Sequence, residues 1–160
     1  MTTGNEVRWL DPEESATWLA AWSMMVWLPV RLDAQLRQDA GLSHPEYHAL
    51  SQMSTAPGRT VRLSELAAVS NMTLSHLSRV VSRLEKAGWV RRTPDPADGR
   101  CTLATLTAEG WDKVVDAAPG HVEAVRRYMF DTLTAEQARV LGDAAGRVVE
   151  AINPPGSART

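Results

Sequence analysis

The stretch "LSELAAVSNMTLSHLSRVVSRLEKAGWVRRTPDPADGRCTLATLTAEG", Leu63 to Gly110, decides the fold. Val61-Arg62-Leu63 at its start has the character of a short strand. Ser64 is placed to cap a helix over "ELAAV", and that helix yields at Ser70-Asn71, where Asn71 suits a left-handed turn. Thr73 caps a second helix, from about Leu74 to Ala87, and Gly88 stops it. Two helices joined by a turn of a few residues form a helix-turn-helix. "VRRT" and "CTLATL" are β-prone and flank "PDPADG", a run of turn formers, so the rest reads as a hairpin with a long tip and Arg100 just past it.

At 100° per residue, Leu77, Val80, Val81 and Leu84 fall in one apolar stripe on the second helix, the side that packs inward. The opposite side collects Ser75, Arg79, Ser82 and Lys86, with His76 and Arg83 on one flank and Ser78 on the other. That face has donors throughout and no carboxylate. Short hydroxyls allow close approach to a major groove, and Arg79 or Arg83 can give bidentate hydrogen bonds to guanine or bind phosphate. A hairpin following such a helix lies over the flanking backbone. Arg100 at its tip is placed to enter a narrow minor groove, with Asp98 holding the guanidinium.

The charge distribution agrees. The chain of 160 residues has a net charge of −2, which taken alone argues against nucleic acid. Residues 59–101, however, hold Arg59, Arg62, Arg79, Arg83, Lys86, Arg91, Arg92 and Arg100 against Glu65, Glu85, Asp95 and Asp98, a net +4 that leaves −6 for the remainder. A basic middle between acidic flanks places a phosphate-binding surface on one side of the molecule.

These pieces and the helices around them resemble the MarR family of bacterial transcription regulators, from the helix at Asp11 to Ile152. The most specific part is the wing motif Asp98-Gly99-Arg100 with the "LTAEG" that follows. The resemblance implies a mainly α fold with a small β-hairpin wing, a winged helix-turn-helix whose N- and C-terminal helices form a dimerisation region. It implies a homodimer with recognition helices in successive major grooves of a double-stranded DNA operator. Arg100 would be the minor-groove residue, and Thr73, Ser75, His76, Ser78, Arg79 and Arg83 the candidate major-groove or phosphate contacts. Response to a small aromatic or phenolic effector is a further implication.

The flanking sequence divides accordingly. Residues 11–42 and 108–152 read as the helical dimerisation region, 43–107 as the DNA-binding domain, and 1–10 and 153–160 as flexible termini. Asp11-Pro12-Glu13-Glu14 opens a long amphipathic helix ending at Gly41, with a kink or break expected at Pro29. Ser43-His44-Pro45-Glu46 is a capping box for a helix presenting Tyr47, Leu50 and Met53. Thr107 caps a helix expected to be interrupted at Pro119-Gly120. Thr134 to Gln137 is a second capping box, and the last helix is expected to end at Asn153-Pro154-Pro155. The first and last helices carry more apolar positions than one small core can cover, which points to a homodimer. Trp18, Trp22 and Met25 share a face that reads as core or dimer interface. With Tyr47 they form a candidate effector pocket.

Composition excludes several classes. At 44% hydrophobic and 22% charged the chain is an ordinary globular one. Trp18 to Val30, its most apolar stretch, is too short to span a bilayer, and the acidic residues before it do not fit a signal peptide, so a cytoplasmic protein with no membrane partner is expected. The single cysteine, Cys101, provides no disulfide and no thiolate cluster, and reads as a strand filler in preference to an oxidation sensor activated by Arg100. His44 and His48 stand at i, i+4 without a third ligand, and no nucleophile elbow, zinc-protease, phosphate-loop or dinucleotide motif is present. A non-enzyme without cofactor or metal is expected, and the resemblance implies a ligand-responsive repressor that binds a pseudo-palindromic operator as a homodimer. The alternatives are a winged-helix adaptor for protein contacts and a small-molecule-binding protein that does not bind DNA.

Overall fold

A computed structural model of the chain describes residues 7–152. Six helices and a small sheet follow in the order α1 (Pro12–Ala40), α2 (His44–Thr55), β1 (Thr60–Arg62), α3 (Leu63–Val69), α4 (Leu74–Lys86), β2 (Val90–Pro94), β3 (Thr102–Leu106), α5 (Ala108–Tyr128) and α6 (Ala135–Ile152). The mainly α winged helix read from the sequence is the fold observed. Residues 1–6 and 153–160, expected as flexible termini, lie outside the described residues, and so does the Pro154-Pro155 stop; residues 7–10 have no regular secondary structure.

Helix starts follow the expected chemistry. Asp11 Oδ1 accepts from the backbone N–H of Glu13 and Glu14, both at 2.8 Å, while Glu14 accepts from Asp11 N–H at 3.0 Å. Ser43 and Glu46 make the corresponding box on α2, and Thr134 and Gln137 on α6. Each cap is worth about 0.5–2 kcal/mol. Three expectations need correction. α3 starts at Leu63, with Arg62 at the N-cap and no side-chain cap bond, so Ser64 lies inside the helix: strand β1 runs straight into it and Leu63 is buried. α5 is continuous through Pro119, and α1 is unbroken at Pro29. A helix proline strips the donor from the carbonyl four residues back, here Met25 and Val115; both residues are about half exposed, so neither orphaned carbonyl belongs to a buried residue.

The sheet is antiparallel with order β1-β3-β2, pairing Thr60 with Thr105 and Val90 with Leu106. The core beneath it gathers Leu36 and Leu42, Leu50 and Met53 of α2, Leu66 of α3 and the stripe Leu77, Val80, Val81, Leu84 of α4, all fully buried. Thr107 ties hairpin to α5: its hydroxyl donates to Gly88 O at 2.8 Å and accepts from Gly110 N at 3.0 Å. A Cβ on Gly110 would overlap the Trp89 carbonyl oxygen, so the glycine of "LTAEG" is needed for this close approach.

α1, α2 and α5 meet at a group of rings. His44 and His48 are stacked with centroids 6.4 Å apart, and His121 of α5 lies 6.2 Å from His44 and 4.6 Å from the buried Tyr47. Burial, then the charge of His44, lowers the pKa of both His48 and His121 from the ordinary histidine value. The unfolded chain therefore binds more protons than the folded one below about pH 6.5. This contribution to stability is complete above that pH and is lost as pH falls through the lowered folded values. Thermal unfolding at about pH 7.5 and about pH 5.5 is expected to show a lower midpoint in acid. His121→Gln should narrow the gap between the two, and an unchanged gap in both His121→Gln and His48→Gln would remove these rings as its cause.

Candidate nucleic-acid interface

Burial of its apolar stripe turns the other side of α4 outward. Ser75, His76 and Arg79 are exposed there, while Ser78 and Ser82 are half-buried at its edges. Thr73 is committed to capping, its hydroxyl accepting from His76 N–H at 3.2 Å. The helix closes through Gly88, whose φ of 82° is readily open only to glycine and turns the chain into β2.

The basic segment sorts by partner. Arg62 Nη2 lies 2.6 Å from Asp95 Oδ2, and the buried Asp95 also accepts from Ala97 N–H at 2.8 Å, so the hairpin tip is pinned to β1. Arg92 gives its backbone N–H, Nε and Nη2 to Glu85, fastening β2 to α4; these bonds hold the Glu85 carboxyl below its ordinary pKa. Arg83 Nε donates to Glu46 of α2 at 2.8 Å. Arg59 lies 4.0 Å over the Trp111 ring. Among the described residues of this segment, Arg59, Arg79, Lys86 and Arg91 have no carboxylate partner, and the last three are not over a ring either.

Arg100 sits at the tip with its side chain 92% exposed, and its Nε donates to Asp98 Oδ1 at 3.1 Å. Asp98 also accepts from the Arg100 backbone N–H at 3.2 Å, and these bonds, the side chain's first, lower its pKa. Among the described residues the two terminal amino groups of the guanidinium make no hydrogen bond to a carboxylate.

The comparisons with known proteins agree with this geometry. The sequence model described as "MarR family" matches residues 42–102. Sco3205 of Streptomyces coelicolor, a MarR family transcriptional regulator solved in complex with DNA, is 43% identical with a TM-score of 0.87, covering 94% of each chain. The chain belongs to the MarR family of transcriptional regulators. AbsC, a MarR family regulator from the same organism, is 32% identical with a TM-score of 0.84 over 92% of this chain and 99% of its own. The HTH-type transcriptional repressor Rv2887 of Mycobacterium tuberculosis is 35% identical over 62% of this chain and 69% of its own length. The chain spans 54% of YdcH, an HTH-type regulator of Bacillus subtilis that is 36% identical over the match.

For a MarR chain, some expected residues are brought together and others are not. Ser75, His76 and Arg79 share one open face, and Asp98 holds Arg100 as the sequence indicated. Arg83 stands beside a carboxylate that the helix wheel does not contain. The pocket expected from Trp18, Trp22, Met25 and Tyr47 is not assembled. Tyr47 is buried in the core against His121, whereas Trp18 and Trp22 pair at 5.4 Å between ring centroids on the exposed half of α1, and Met25 is half exposed. A cavity of about 340 Å³ lies instead between α1, the end of α5 and α6, lined by Met24, Trp27, Leu28, Arg31, Tyr128 and Leu141 among others. The sequence reading also passed over Leu74, an exposed apolar residue at the start of the recognition face.

Cys101 is half-buried with its Sγ 3.7 Å from Asp98 Oδ2. Burial, then the Asp98 charge, raises its pKa, and Arg62 opposes this too weakly to reverse it. The thiol is thus kept protonated by burial and by the acid that holds Arg100, in line with the preferred reading of Cys101 as a filler and against activation by Arg100. Iodoacetamide is expected to alkylate Cys101 more slowly at neutral pH than it does a free cysteine, and Asp98→Asn to speed the reaction; equal rates in the two proteins would exclude control by Asp98.

Proposed function

We propose that the chain acts as a homodimer on double-stranded DNA, repressing transcription from a pseudo-palindromic operator until a small effector weakens its hold. The observation that carries the DNA part is the unpaired, acid-free face of α4 beside a wing whose Arg100 is exposed and held by its Nε alone. Donors aimed outward without internal partners suit nucleic acid and do not suit an adaptor, whose contacts would be more apolar. Arg79 reads a base edge in the major groove with Ser75 and His76 at its side, Leu74 meets a thymine methyl, and Arg100 enters the minor groove. Residues 43–107 form the DNA-binding unit, and 11–42 with 108–152 the dimerisation region.

Dimerisation is supported by what the single chain leaves uncovered. α6 buries no residue, and Val140, Val148 and Ile152 on it are each at least 52% exposed. Trp18, Trp22 and Trp27 of α1 are 50–61% exposed. A soluble protein does not leave so much contiguous apolar surface in water. A second copy covers it symmetrically. The effector part rests on the cavity between α1, α5 and α6, large enough for a small aromatic molecule, with Arg31 as the charged group that would select an acid. Function in the cytoplasm accords with this reading; no helix of the described residues is long and apolar enough to cross a membrane.

Selection from genomic fragments yields the operator, with half-sites about one helical turn apart. Against that duplex Arg79→Ala is expected to cost about 1–3 kcal/mol while leaving binding to scrambled DNA nearly unchanged. Arg100→Ala weakens binding to many sequences, most where the flanking groove is narrow, and lowers the salt slope by up to about one unit per half-site. An Arg100→Ala protein that bound every duplex with the parent's affinity and slope would remove the wing from the interface. Truncation before Ala135 is expected to give a monomer in sedimentation and to abolish tight operator binding; a truncated protein that stays dimeric would refute the assignment of α6.

A further inference from the structure

On sequence Arg83 lies on the flank of an acid-free helix face, yet the fold brings it an acid from another element. Glu46 belongs to α2, and its side chain is 14% exposed against 55% for Arg83. The two carboxylate oxygens have separate tasks. Oε2 accepts from Ser43 N–H and Ser43 Oγ–H, each at 2.8 Å, completing the cap of α2. Oε1 accepts from Arg83 Nε at 2.8 Å. Burial works to raise the Glu46 pKa, but the hydrogen bonds from Arg83 and Ser43 outweigh it and keep the carboxyl ionised below its ordinary range.

The way Arg83 is held matters. Arg92 commits Nε and Nη2 together to Glu85 and is used up inside the fold. Arg83 is bonded through Nε alone, so both terminal amino groups stay free of carboxylate, the arrangement that Asp98 gives Arg100. We propose, building on the DNA-binding reading above, that Glu46 is a positioning residue for sequence recognition, holding Arg83 by its Nε so that its free fork is aimed at a guanine edge of the operator. An arginine already fixed in its binding rotamer loses less freedom on association than a loose one. The adjacent negative charge also reduces indiscriminate attraction to phosphate, so Glu46 raises specificity at the expense of non-specific affinity.

Glu46 is rooted outside the recognition helix. Its neighbour His44 donates its backbone N–H to Asp33 Oδ1 of α1 at 2.7 Å, and Asp33 is itself paired with Arg37 at 2.6 Å. The aim of the Arg83 fork is therefore referred to α1 through the first turn of α2.

Glu46→Gln separates positioning from capping. Glutamine serves equally in a capping box, so its amide oxygen can keep the Ser43 bonds, but its amide nitrogen then faces Arg83 Nε. The unfolding midpoint should stay close to the parent's. Binding to the selected operator should weaken roughly tenfold while binding to scrambled duplex is unchanged or slightly tighter. Glu46→Asp, which keeps the charge but shortens the reach, is expected to lose specificity in the same way and provides a second variant. In an Arg83→Ala background neither change should cost anything further. Equal tightening on both duplexes would make Glu46 a background charge, and an undiminished cost in the Arg83→Ala background would make it a structural cap; either result overturns the proposal. If the parent chain distinguishes no selected duplex from scrambled DNA, the DNA-binding reading itself fails and this role with it.

Discussion

Burial of one side of α4 governs what the rest of the molecule can present. Leu77, Val80, Val81 and Leu84 are 0–1% exposed, and each contributes on the order of 1.5–3 kcal/mol relative to solvent exposure. Rolling the helix by one residue, about 100°, would put several of them in water and bring His76 and Arg83, or Ser78 and Glu85, inward in their place. The outward direction of the hydroxyls and of Arg79 is thus a by-product of the core, secured without any contact of their own.

Around that fixed helix, carboxylates treat arginines in distinct ways. Asp95 takes Arg62 by a terminal nitrogen and Glu85 takes Arg92 by Nε and a terminal nitrogen together, and these pairs fasten the wing, at β1 and at α4 respectively. Glu46 and Asp98 take Arg83 and Arg100 by Nε, leaving the forks open. The exposed pairs contribute little to stability as isolated bridges, since water and salt screen them. Their consequence is geometric. The segment's net charge of +4 in sequence overstates the cations available to a ligand, because half of the eight are already paired.

Local rules were enough to read most of the fold. Asp11, Ser43, Thr73, Thr107 and Thr134 sit at the helix starts their side chains favour, Asn71 has a positive φ of 49°, and the α4 stripe faces the core. What failed was tertiary or depended on which side of a helix meets water. Pro29 and Pro119 looked like breaks because sequence does not show that the carbonyls they orphan belong to exposed residues. Glu46 and Arg83, separated by 37 positions, meet only once α2 crosses α4. Tyr47 seemed a partner for the tryptophans of α1, but its side chain goes to His121 on α5, a choice no periodicity within α2 could reveal. Asp98 and Arg100 were legible because two residues of one turn are near each other in any fold.

The knot at Thr107 joins three places within a few ångströms: the turn after α4 at Gly88, the residue before β2 at Trp89 and the first turn of α5 at Gly110. α5 runs 21 residues from that knot, about 30 Å, toward the apolar region at its far end. Such a rod works as a lever with its fulcrum at the root of the wing. If two chains clasp as proposed above, a swing of α5 carries the wing with it, along a path separate from the one through α2. In that proposed dimer the spacing of two wings along a duplex follows from the angle between two rods, and the joint at each wing root is the Thr107 hydroxyl, bonded to both Gly88 and Gly110.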